Sequence, residues 1–437
     1  MSEGVDTVGM DAPPRLAVDR LLDDRETRII VCCGAGGVGK TTTAAALGVR
    51  AAGRGRKAVV LTIDPARRLA QSMGIDSLDN TPRKVGTVGA GGGELHAMML
   101  DMKRTFDEIV EAHADGERAR AILANPFYQS LSAGFAGTQE YMAMEKLGQL
   151  RARDDWDLII VDTPPSRSAL DFLDAPKRLG SFLDGKFIRV LMAPAKVGGR
   201  AGMKFLNVGM SMMTGTLSKL MGASLLKDVQ TFVAAMDTMF GGFRTRADAT
   251  FRLLQAPGTA FLVVAAPEPD ALREAAYFVE RLAAERMPLA GLVLNRVHGS
   301  GADQLSAERA LAAAENLEEG GIVDQESGKA GLRDSGSEPT EPTEPAATTR
   351  TANPPETGSP GTEGDTAVVD RITAGLLRLH AERMQVIARE QRTRDRFTSL
   401  HPEVAVAEVT ALPGDVHDLA GLRAIGERLA AGVPAGA

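Results

Sequence analysis

Short apolar runs recur along the chain at Ile29–Cys33, Ala58–Ile63, Leu95–Leu100, Trp156–Val161, Phe261–Ala266, Gly291–Leu294 and Val404–Val409. Most are continuous rather than alternating, the pattern of parallel strands covered on both faces. Apolar residues three and four apart predict helices over about 40–52, 103–125, 138–152 and 368–394, with a last helix ending near Ala430. The first of these stops at Gly53-Arg54-Gly55, a C-terminal glycine signal. Strands separated by helical segments predict an α/β fold with a doubly wound, mostly parallel sheet.

Three stretches depart from this rhythm. Residues 1–27 are polar, carry Pro13-Pro14, and suggest a loose arm with at most one short helix. Residues 171–250 suggest a helical insertion, and eight of the chain's 18 methionines fall within 180–243. Leu206, Met210, Met213, Leu217 and Leu220 would share one helix face. Thioether side chains suit a surface that repacks around different apolar partners, although ordinary core or a dimer contact fits the same stripe. In residues 300–365, Asp303–Glu319 fits a helix, but Gly328–Thr366 is rich in Gly, Pro, Ser, Thr and Glu. That composition buries too little apolar surface to offset ordering entropy, so a largely disordered insertion is expected. The sheet domain would then span 28–299 and resume over 366–437.

The chemistry begins at Gly34-Ala35-Gly36-Gly37-Val38-Gly39-Lys40-Thr41, between the first predicted strand and the first predicted helix. A pair of phosphates needs several backbone N–H donors at close range, and glycines remove the side chains that would block that approach. Lys40 reaches the β- and γ-phosphates, and the Thr41 hydroxyl suits a coordination position on Mg²⁺. Asp64 ends the second predicted strand, with Pro65 fixing the chain's exit. A carboxylate there can orient or deprotonate an attacking water; Arg67 and Arg68 fit charge compensation or, more simply, two solvated arginines. Ile159-Ile160-Val161-Asp162 is an apolar strand ending in an acid, as a Walker B element requires for the Mg²⁺ shell.

Composition narrows the class. A net charge of −7 and a pI near 5.6 argue against a broad nucleic-acid footprint, so no nucleic-acid partner is expected. The only cysteines, Cys32 and Cys33, are adjacent in a predicted strand and would point to opposite faces. That placement suits neither a disulfide nor a metal site, and the low count suits a reducing compartment. No signal-peptide pattern opens the chain, and no apolar run approaches the roughly 18 residues of a membrane span. A cytoplasmic protein without an integral membrane segment is expected.

Gly34–Thr42, Asp64-Pro65-Ala66, Asp162-Thr163-Pro164-Pro165 and Leu292-Val293-Leu294-Asn295 together resemble the anion-transporting ATPase family. That family contains ArsA-type arsenite-pump ATPases and the ATPases that target tail-anchored membrane proteins. Each motif alone also occurs in the related MinD and ParA ATPases; the set is specific, and its order and spacing match over about 28–299 and 366–430. The resemblance implies a P-loop NTPase fold, ATP with Mg²⁺, and a homodimer or a heterodimer with a related ATPase. It implies Asp64 as the water-activating carboxylate and Lys40 and Thr41 as phosphate and Mg²⁺ contacts. Gly34, Gly36, Gly37, Val38, Gly39 and Thr42 would complete the cradle, and Asp162 would bind Mg²⁺ through water. Asn295 is the implied adenine reader, helped by Pro267-Glu268-Pro269 and the loop after Leu412.

Two departures matter. Ala35 stands where the family's loop usually has a second lysine that reaches the partner's nucleotide, so hydrolysis is expected to be slow or partner-dependent. The chain also lacks both the zinc-binding Cys-x-x-Cys of the targeting homologues and the arsenite-binding cysteines of the pumps. Soft metalloids select thiolates, which opposes a metalloid efflux ATPase. The leading expectation is a switch ATPase with an apolar client surface in 180–243, ahead of a weakly hydrolysing partner subunit of a heterodimer.

Overall fold

The computed structural model describes residues 14–63, 68–86, 91–132, 138–164, 242, 245–326 and 362–431; the side chains of 68, 127, 130, 131, 138, 319–326 and 362–365 are not described. The Met-rich stripe and most of the expected helical insertion lie outside the described residues, as does the segment 327–361. The chain divides into two units: the described parts of Met1–Val297 with Glu390–Ala435, and those of His298–Arg389.

The first unit is built on β1 (Ile29–Cys33), β2 (Lys57–Thr62), β3 (Arg83–Lys84), β4 (Glu94–Met99), β5 (Leu158–Asp162), β6 (Thr259–Ala265), β7 (Leu289–Val297) and β8 (Val406–Thr410). They form one sheet in the order β3-β4-β2-β5-β1-β6-β7-β8. Each neighbouring pair is parallel except β3 with β4. All five residues of β1 and of β5 are buried, because the sheet is covered on both faces. Ile29, Val31 and Cys33 face one core, together with α4 (Met102–His113), α7 (Thr138–Arg153) and α8 (Pro269–Ala284). Ile30 and Cys32 face the other, with α2 (Lys40–Gly53) and α11 (Leu419–Ala431). This is the doubly wound, mostly parallel architecture that the apolar runs predict.

Local chemistry explains the differences from expectation. The helix predicted over 103–125 is two helices, α4 and α5 (Gly116–Leu123), because the Asp115 carboxylate accepts from the Arg118 N–H at 2.8 Å and caps a new start. Three short elements are unpredicted: α3 (Arg68–Ser72), α6 (Pro126–Ser132) and β3, a two-residue edge strand of exposed basic residues. Short charged edges discourage further strand pairing. The described part of the polar arm is docked rather than loose. The Leu16 N–H donates to the Val406 carbonyl at 3.0 Å, and α1 (Val18–Asp23) buries Val18 and Leu22. Asp19 accepts from Arg50 at 2.5 and 2.7 Å, which holds its carboxyl below the usual aspartate range, and Asp23 pairs with Arg54.

Arg56 fastens this arm to the sheet. Its buried guanidinium donates to the carbonyls of Leu22, Asp24, Thr27 and Asp157 at 2.9, 2.8, 2.7 and 2.5 Å. Burial pulls its pKa below the ordinary arginine value.

In the second unit, α9 (Ala307–Glu326) buries Ala310 and Ala314, and the part of α10 (Thr362–Leu400) up to Arg389 buries Ala374 and Ala381. Arg378 pairs with Glu318 at 2.5 Å, and His380 Nε2 lies 2.7 Å from the Leu305 carbonyl oxygen. Val369, Ile372, Leu376 and Leu379 form an exposed aliphatic stripe on α10, at spacings of three and four. Among the described residues no helix is long and apolar enough to cross a membrane.

Replacing Arg56 with methionine keeps the volume but leaves the buried carbonyls without their donor. Arg56→Met is expected to lower stability by about 2–4 kcal/mol, read as a fall in the urea midpoint with unchanged slope.

Candidate active site

The carboxyl ends of β2, β5, β1, β6 and β7 meet at one rim of the sheet, where open α/β sheets place their ligand sites. Burial on both faces makes that rim rigid, and the loop Gly34–Gly39 is built on it. Gly34 follows β1 with φ of 147°, and a Cβ there would stand 2.1 Å from the Val264 carbonyl oxygen of β6. Gly39 has φ of 94°, and a Cβ there would meet Asn295 Nδ2 at 2.2 Å. Only glycine fits at either position. Gly36 and Gly37 are exposed at the turn of the loop, while Ala35 and Val38 are buried beneath it.

α2 begins directly after the loop, and no side chain caps its N-terminus. Its first turn carries no acidic residue. The leading N–H groups and the positive end of a 14-residue helix are thus left for an anion. Lys40 is buried, and its Nζ donates to the Ala35 carbonyl at 2.7 Å, which folds the amine back across the loop. Thr42 is half-buried on the same first turn.

Beside the loop, Asp162 closes β5 and is fully buried. Its Oδ2 accepts from the Thr41 hydroxyl at 2.7 Å and from the Thr62 hydroxyl at 2.8 Å. Register puts it there, because Asp162 pairs with Cys32 on one side and with Thr62 on the other. The Thr163 hydroxyl donates to the Cys32 carbonyl at 2.9 Å and turns the chain off the strand. Thr41 and Asp162 are hard oxygen donors beside an uncapped helix start, which suits Mg²⁺ bound with a nucleotide's phosphates. A dedicated protein cage is not required for that ion, and among the described residues no group of three or more His, Cys, Asp or Glu could hold a metal.

A family model for the anion-transporting ATPases matches residues 27–319, two thirds of the chain and the whole of this rim. The chain belongs to the anion-transporting ATPase family. Membership assigns it the ATPase class. It is 31% identical over 173 residues to ATPase GET3 of Malassezia globosa, covering 40% of this chain and 49% of that protein. ATPase GET3 of Podospora anserina is 26% identical over 298 residues, 67% of this chain and 80% of that protein. ATPase BagA of Mycobacterium tuberculosis is 27% identical over 168 residues, 36% of this chain and 48% of that protein. In the first and last of these matches, about half the length of the relative is spanned.

Among the residues singled out from sequence, Gly34, Gly36, Gly37, Val38, Gly39, Lys40, Thr41, Thr42 and Asp162 lie on the loop, the α2 start and the adjoining strand end. Asn295, buried on β7, reaches the same loop from the far side: its Nδ2 donates to the Val38 carbonyl at 2.8 Å. Pro267 is buried, and Glu268 is the exposed residue at the start of α8, without a side-chain capping bond. Asp64 lies outside the described residues. The backbone just before it is held, however: the Ile63 N–H donates to the Asp162 carbonyl at 3.0 Å, and the Ile63 carbonyl accepts from Gln139 Nε2 at 2.9 Å.

Thr62 and Gln139 escaped the sequence reading. A hydroxyl one strand over from Asp162 is the signal that would have found Thr62. For Gln139 no local signal exists.

The two cysteines sit directly under the loop. Burial pushes the Cys33 thiol up to about 12, and burial followed by the Asp162 charge pushes Cys32 well above the usual thiol range. At pH 8 both groups are therefore thiols, and thiols are poor nucleophiles and poor metalloid ligands. A disulfide-exchange reagent at pH 8 is expected to label neither cysteine in the native protein and both in concentrated guanidinium. Rapid native labelling would contradict the buried placement.

Proposed function

We propose that the chain is a Mg-ATP-driven switch, in which the loop Gly34–Thr42 binds ATP and hydrolysis alters a surface presented to an apolar client or partner. The observation that carries the proposal is the convergence of Thr41 and Thr62 on buried Asp162, beside a glycine loop and an uncapped helix start. Bound Mg²⁺ would offset the negative charge shared by the β- and γ-phosphates. Thr41 would ligate it, and Asp162 would orient its hydration through water while holding Thr41 and Thr62 in place.

The residues of the chain divide the remaining work. Backbone N–H groups of 36–41 would hold the phosphates, and Lys40 would leave the Ala35 carbonyl to meet the β- and γ-oxygens. Asp64 would accept a proton from the water attacking the γ-phosphorus. Its support is the backbone at Ile63, held on one side by Asp162 and on the other by Gln139. Asn295 would face the adenine, with Pro267 and Glu268 beside the base. In this proposal the protein works in the cytoplasm as a dimer, with a copy of itself or with a related ATPase, and residues 180–243 supply the apolar client surface.

A second reading is favoured by one residue. Ala35 has no cation to offer across a dimer, and its carbonyl is engaged by the chain's own Lys40. A partner subunit would then supply the missing charge, and this chain alone would turn over slowly.

Purified chain is expected to hydrolyse ATP only with Mg²⁺, and Asp64→Asn to lower turnover by about 10²–10⁴-fold with nucleotide affinity retained. Wild-type turnover indistinguishable from background, with ATP still bound, would overturn the self-sufficient switch in favour of the partner-dependent subunit. Unchanged turnover in Asp64→Asn would remove Asp64 from the mechanism.

A further inference from the structure

Asn295 lies on β7, 257 residues beyond Val38, yet its amide donates to the Val38 carbonyl at 2.8 Å in a buried setting. The acceptor is a carbonyl, so the atom facing it must be the NH₂ end of the side chain. The immediate surroundings of that amide are specialised. The amide leaves no room for a Cβ at position 39, the residue after Val38 in the loop, and the glycine there accommodates it. On the other side, Arg296 has a left-handed φ of 64°, and the pairing of β7 with β8 shifts register between Asn295 and Val297. A strand irregularity of this kind re-aims a side chain at the rim of a sheet, and a left-handed arginine is a local cost borne for it.

We propose that Asn295 is a positioning residue that braces the phosphate loop, in addition to facing the nucleotide base. A peptide unit is planar, with its C=O and the following N–H pointing in opposite directions. Holding the Val38 carbonyl toward β7 therefore turns the Gly39 N–H away from β7, and one side-chain bond sets the direction of a loop donor. The same bond uses one of the two N–H donors on Nδ2, so the other N–H and Oδ1 remain to meet a base. The brace thus contributes to phosphate affinity whether or not a base is present, and it works before any ligand arrives. This inference rests on the reading of the loop as an ATP site.

Two measurements on Asn295→Ala separate a brace from a base reader. Binding of inorganic tripolyphosphate, which has phosphates and no base, is compared with binding of ATP, both with Mg²⁺. The expected result is a loss of roughly 5–20-fold for both ligands, the scale of one buried hydrogen bond. Hydrogen exchange in the ligand-free protein is expected to quicken at the amides of 37–41 and to stay unchanged in β1 and β5. Loss of ATP affinity with tripolyphosphate affinity intact, or unaltered exchange in the loop, would overturn the brace. Wild-type protein that binds neither ligand would instead overturn the reading of the loop itself. If the alanine protein melts early, Asn295→Ser, too short to span the gap to Val38, serves the same comparison.

Discussion

A single oxygen, Oδ2 of Asp162, accepts hydrogen bonds from Thr41 at the start of α2 and from Thr62 at the end of β2. The consecutive elements α2 and β2 are thereby fixed to β5, whose Asp162 lies 121 residues beyond Thr41 and 100 beyond Thr62, at one point on the sheet's rim. The carboxylate is fully buried, so the two hydroxyls supply part of the stabilisation that water would otherwise give it. Burial also makes the arrangement sensitive: a change that moves α2 relative to β2 must disturb a group with little room to relax. A phosphate or Mg²⁺ ion arriving at Thr41 would act on that same point, which gives nucleotide state a physical route into β2 and the segment after it.

The other wall of the loop is held by β6 and β7. Gly34 is pressed against the Val264 backbone, and Val38 is tied to Asn295. The loop is thus held by β5 and β6, buried along their whole length, and by the buried stretch Gly291–Asn295 of β7, and close packing of these strands limits its motion. Preorganisation of this kind suits phosphate binding, because the donors need not be ordered at the ligand's cost. The N-terminal segment extends the frame, since Arg56 joins its carbonyls to the Asp157 carbonyl just before β5.

Much of this was legible in the sequence because independent signals coincided. The glycine loop lies between an unbroken apolar run and an alanine-rich helical pattern, and Asp162 ends another such run, so motif and context agreed. Element ends were less legible because capping decided them: Asp115 splits one helical pattern into two by a local hydrogen bond. Contacts between residues far apart in the chain left no local trace. Thr62 meets Asp162 across 100 positions, and the Asn295 amide meets a backbone carbonyl, whose partner side-chain identity does not reveal. The polar arm misled for a related reason: its apolar part is short, with Leu16, Val18 and Leu22 in the core, and the rest of its docking runs through backbone carbonyls and charged pairs.

The central claim is that the β1–α2 loop and Asp162 form a preorganised site for ATP together with Mg²⁺. Calorimetric titration of the full chain with ATP, in Mg²⁺ and then in excess chelator, tests it most directly. The account predicts saturable binding of a single nucleotide per chain in Mg²⁺, weakened strongly by the chelator and abolished when Thr41 and Asp162 are both replaced by alanine in a protein that remains folded. ATP binding that ignores both the chelator and the double replacement, or no binding in Mg²⁺, would contradict it.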